Sequence, residues 1–140
     1  VEIGLRALSP GINDPFTAIT ALHWLGAATS ELAKRDLVRT IGSKDDTGSD
    51  RLILFNDSFA HYVARGFGTM RSGVASSPSA ALVALEVIAD TASTISDETR
   101  EAMLRQEGER LILQVREALV GPDLDLVEAR FAIFEKAMTR

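Results

Sequence analysis

The sequence has no cysteine, so disulfides and thiolate chemistry are excluded from it. Two histidines, His23 and His61, are its whole supply of imidazole, and no H-E-x-x-H pair brings them together. No metal centre and no cofactor are expected from such a set. Long apolar runs are missing too: the most apolar, Ala80–Ala89, is interrupted by Glu86 and falls far short of the ~20 residues a membrane-spanning helix needs. No basic cluster appears and the net charge is −5, which argues against a nucleic-acid partner. The same acidic balance argues against direct lipid binding by these residues.

What is present is the composition of a folded protein, with 46% hydrophobic and 25% charged residues in 140 positions, room for one domain. Val1–Leu8 carries Glu2 and Arg6, lacks the apolar core of a signal peptide, and reads as the tail of a helix. The start without Met suggests a fragment of a longer protein. Ser9-Pro10-Gly11 ends that first helix, with Gly11 suited to a left-handed cap. Asp14-Pro15 then has the form of an N-cap followed by proline at the first helical position.

Helical periodicity covers most of the remainder. From Pro15 to about Arg35, one half of the helix carries Ala18, Ile19, Ala21, Leu22, Leu25, Ala28 and Leu32, with Trp24 on the border. Asp57 or Ser58 caps a helix holding Phe59, Val63, Phe67 and Met70 at helical spacing. Ser77-Pro78 opens another, with Leu82, Leu85, Ile88, Ala92 and Ile95 on one face. Ser96 is expected to cap a fifth, and Gly121-Pro122 breaks the chain before a sixth. In these last two, Leu104, Gly108, Leu111, Val115 and Ala118, then Leu124, Val127, Phe131, Phe134 and Met138, alternate by threes and fours. Only "LVRTI" and "RLILF", flanking "GSKDDTGSD", read as strands, giving a small β-hairpin over residues 37–55. The expected fold is therefore mainly α, an antiparallel bundle of about five to six helices with one hairpin insertion.

Catalytic signatures fail on inspection. Gly66-Phe67-Gly68 begins a dinucleotide fingerprint whose third glycine would fall on Arg71, and the P-loop spacing of Gly68 and Gly73 ends on Val74 instead of lysine. The plainer reading has Gly66 letting helices approach closely and Gly73 ending a helix. Paired acids such as Asp45/Asp46 and Asp123/Asp125 lack a partner base. The stretch "RALSPGINDPFTA" gathers more polar groups than any other. Asn13 and Asp14 can satisfy orphan backbone N–H groups there, and Arg6 can reach Asp14 or the carbonyls that end its own helix. Capping explains most of that density.

"GLRALSPGINDPFTAITALHWLG" and the later "TMRSGVASSPSAALVAL" resemble the soluble C-terminal part of the "domain of unknown function 2254" family of bacterial membrane proteins. The core A-L-S-P-x-I-N-D-P-x-T-A spans Ala7–Ala18, and Arg71, Gly73 and Pro78 fit a second pattern, from which Ser72 departs. The resemblance implies transmembrane helices upstream of this fragment as its partner, a cell-membrane location for the whole protein, and a soluble domain here, which the absence of disulfides and of a secretion signal places on the cytoplasmic side. It raises Arg6, Ser9, Asn13, Asp14, Thr17 and Arg71 as candidate ligand-binding residues and names no catalytic ones. The residues favour a non-catalytic module for regulation, ligand sensing or assembly over an enzyme. The alternatives are an enzyme with its site around residues 6–17 and Arg71, and a pure oligomerisation domain built on the last two helices. A homo-oligomer and a small ligand are the further partners this leaves open.

Overall fold

The computed structural model describes residues 1–37 and 58–139. Among the described residues the chain is mainly helical and has no strand. The helices are α1 (Glu2–Ala7), α2 (Pro15–Ala33), α3 (Phe59–Val63), α4 (Thr69–Ala75), α5 (Pro78–Ser93), α6 (Glu98–Ala118) and α7 (Pro122–Ala137). A π-helical turn, Ala64–Gly68, joins α3 to α4 without a break. The expected hairpin at 37–55 lies, apart from Leu37, outside the described residues.

α5 is the centre of the core, packing against α2, α4, α6 and α7. Its sequence says why: Ala80, Ala81, Ala84, Leu85, Val87, Ile88, Thr91 and Ala92 are buried on more than one side. A helix that is apolar most of the way round has to be surrounded. The short links between α5, α6 and α7 return each helix beside the one before it. Gly108 makes the α6–α7 contact possible, because a Cβ there would stand 2.3 Å from the tip of the Phe134 ring. The alternating residues of those two helices, Leu104, Leu111 and Val115 with Val127, Phe131, Phe134 and Met138, are buried in this chain's own core.

Helix starts follow local chemistry, with corrections in detail. Asp14 caps α2 and Ser58 caps α3 by accepting backbone N–H bonds. α6 is capped by Asp97, which accepts from the Thr99 and Arg100 amides, and not by Ser96. Asp97 carries its carboxylate at the positive end of the helix dipole, where a hydroxyl would be the weaker partner. Gly73 does not end a helix. It lies inside α4, where its missing side chain lets Leu8 close in, its Cβ 3.2 Å from the place a Gly73 Cβ would take.

Candidate functional site

α1 and α2 meet in a compact knot of backbone hydrogen bonds. The Asp14 amide donates to the Ala7 carbonyl (2.8 Å), while the Ile12 and Asn13 amides both donate to Ser9 (3.0 and 2.9 Å). The Ser9 hydroxyl donates to the Arg6 carbonyl at 2.7 Å and closes the end of α1. The left-handed residue of the turn is Asn13, with φ of 45°, and not Gly11. Asparagine tolerates that region better than most residues.

Asp14 caps α2. Its Oδ1 accepts from the Phe16 and Thr17 amides, both at 3.1 Å, and its Oδ2 accepts from the Thr17 hydroxyl at 2.5 Å. The Thr17 hydroxyl first, and then these amides, hold the Asp14 carboxyl below its ordinary value of 3.8. Stabilised as the anion, it is a poor proton acceptor near neutrality.

Arg6, Asp14 and Thr17 line one pocket of about 310 Å³, completed by Glu2, Ile3, Ala7 and Ile12. Arg6 makes neither of the contacts open to it, with Asp14 or with the carbonyls ending α1; among the described residues its guanidinium has neither a hydrogen bond nor an ion pair. A second cleft, about 500 Å³, adjoins it along α2 and is lined by Val1, Ile3, Thr17, Thr20, Ala21, Trp24 and Leu25. Around the two, Ile3 is 69%, Phe16 79% and Trp24 74% exposed. Ser9 and Asn13 shape the turn without facing either cavity.

Arg71 does not join this group. Its Nε and an outer nitrogen donate to the two carboxylate oxygens of Glu107 on α6, at 2.7 and 3.3 Å. Gly68, the last residue of the π turn, clears the space: a Cβ there would stand 3.0 Å from the Arg71 guanidinium. Glu107 is 2% exposed, and burial pushes its carboxyl up while Arg71 pulls it back. Sequence reasoning missed Glu107, although the signal was there in a charge set on the seam between Leu104 and Leu111. No cluster of metal-ligating side chains occurs among the described residues.

No helix among the described residues is long and apolar enough to cross a membrane. Residues 1–90 match the family described as "Predicted membrane protein (DUF2254)". An uncharacterized protein of Mycobacterium bovis and one from each of two Mycobacterium tuberculosis strains are similar to this chain. Each is 34% identical over 107 residues, covering 76% of the chain and 20% of the relative. No solved structure gives a significant match. Spanning about a fifth of the length of these relatives, the chain belongs to the DUF2254 family of predicted membrane proteins.

Proposed function

We propose that these 140 residues form a non-catalytic assembly domain whose α1–α2 face docks on the remainder of a longer membrane protein. The carrying observation is the exposure of Ile3 and Trp24 in the open cleft along α2, with Phe16 exposed in the first turn of the same helix. Contiguous apolar exposure of this kind marks interaction surfaces. The occupant is argued from length: relatives of this chain have four fifths of their sequence outside the matched part. The alternating seams of α6 and α7, which motivated an oligomerisation domain, are spent inside the core. The enzyme alternative gathered Asp14 and Arg71 in one cleft, and the Arg71 guanidinium is instead paired with Glu107 on α6.

The test is the full-length protein carrying Phe16→Glu and Trp24→Glu together. Docking predicts that limited proteolysis releases the domain several-fold faster than in the parent, with its thermal midpoint unchanged. Equal release rates, a loss of dimer mass by light scattering, or a loss of vesicle binding would each contradict it in favour of no contact, a second copy or the bilayer.

A further inference from the structure

The pocket between α1 and the start of α2 presents a combination that capping does not explain. Arg6 and Asp14 carry opposite charges, line the same cavity of about 310 Å³, and do not pair with each other. Ile3, Ala7 and Ile12 supply its apolar wall, and Glu2 stands at its rim. A free anion entering here would meet Arg6 but also Glu2 and Asp14, and a free cation would meet Arg6. A purely apolar ligand would strip water from both charges and return no hydrogen bonds, which is costly. A molecule bearing both signs close together, with a small aliphatic group, satisfies every wall at once.

We propose that this pocket binds a small zwitterion of the aliphatic α-amino-acid class. The ligand carboxylate lies on the Arg6 guanidinium, whose planar donors can take both of its oxygens. The ammonium lies between Asp14 and Glu2. Asp14 Oδ2 accepts one bond, from Thr17, and keeps a lone pair for a second donor. The side chain rests on Ile3, Ala7 and Ile12. The volume is at the small end of ligand pockets, which run from about 300 Å³ upward. This pocket shares Ile3 and Thr17 with the cleft along α2 but not Phe16 or Trp24, so the site adjoins the docking face and adds a small-molecule ligand to that reading.

The experiment is calorimetric titration of the full-length protein with L-leucine, with isocaproate and isoamylamine as the two half-ligands. The expected result is saturable binding of L-leucine and at least about tenfold weaker binding of each half, since each lacks one charge-paired contact worth about 1.4 kcal/mol or more. Arg6→Gln and Asp14→Asn should each lose about tenfold or more, with cooperative melting retained. Asparagine remains a good N-cap, so the second variant removes charge without removing the cap. Absence of saturable heat with L-leucine, equal affinity for isocaproate, or full affinity in Arg6→Gln would overturn the proposal. Because this titration reads ligand heat and the proteolysis above is run without ligand, either reading can fail alone.

Discussion

Arg71 and Glu107 form a two-point ion pair at 2.7 and 3.3 Å that ties α4 to α6, with 3% of the Glu107 side chain left exposed. Breaking such a pair from one side strands a buried charge, whereas replacing both partners by apolar groups can be near neutral. Arg71→Ala should therefore destabilise the fold by about 3 kcal/mol, the low end for buried pairs because Arg71 keeps a fifth of its surface exposed. Arg71→Met with Glu107→Leu should recover most of that. Urea midpoints of the two variants check it.

The same pair sets a pH dependence. Burial raises the Glu107 carboxyl above its unfolded value despite Arg71. The folded state then holds the proton more tightly, so this contribution is full below the ordinary carboxylate range and is lost as pH rises through the raised value. Asp14 works the other way, its lowered value giving a contribution present above the ordinary range and lost as pH falls through it. Comparing Glu107→Gln with the parent in thermal melts across the acid range should show the first slope vanish while the acid-side loss from Asp14 stays.

Capping by Asp14 predicts its own mutational pattern. Asp14→Ala should lower the thermal midpoint by roughly 3–6 °C, while Asp14→Ser or Asp14→Asn should stay close to the parent. Calorimetric melts decide, and equal midpoints for all three variants would contradict the cap.

Close approach at Gly108 makes a sharper contrast. Gly108→Ala places its Cβ 2.3 Å from the tip of the Phe134 ring and should cost about 1–3 kcal/mol as overpacking. Gly11→Ala, with nothing within 4 Å of the added carbon, should be neutral or slightly stabilising. Denaturant unfolding of both variants measures the difference.

Helical spacing made the core of α3 to α7 legible in advance, because Phe59, Val63, Met70, Leu85, Leu111 and Phe134 are large, apolar and periodic. Local chemistry placed the Asp14 and Ser58 caps for the same reason: a short acceptor side chain next to a helix start has few other uses. What could not be read was pairwise. Nothing local says that Arg71 would choose Glu107, 36 residues away, over Asp14. Ala28 falls on the apolar half-helix by pattern and Trp24 on its border, yet both are exposed, because a pattern reports which residues could be covered and not which neighbour arrives to cover them. That difference is what exposed the α1–α2 face to view.

Docking of that face is tested most directly by hydroxyl-radical footprinting, read residue by residue in the full-length protein and in the 140-residue domain. Leu113, 57% exposed on α6 and away from the clefts, is the internal reference. The account predicts that Phe16 and Trp24 oxidise several-fold more slowly in the full-length protein while Leu113 is unchanged. Equal oxidation of Phe16 and Trp24 in the two would contradict it.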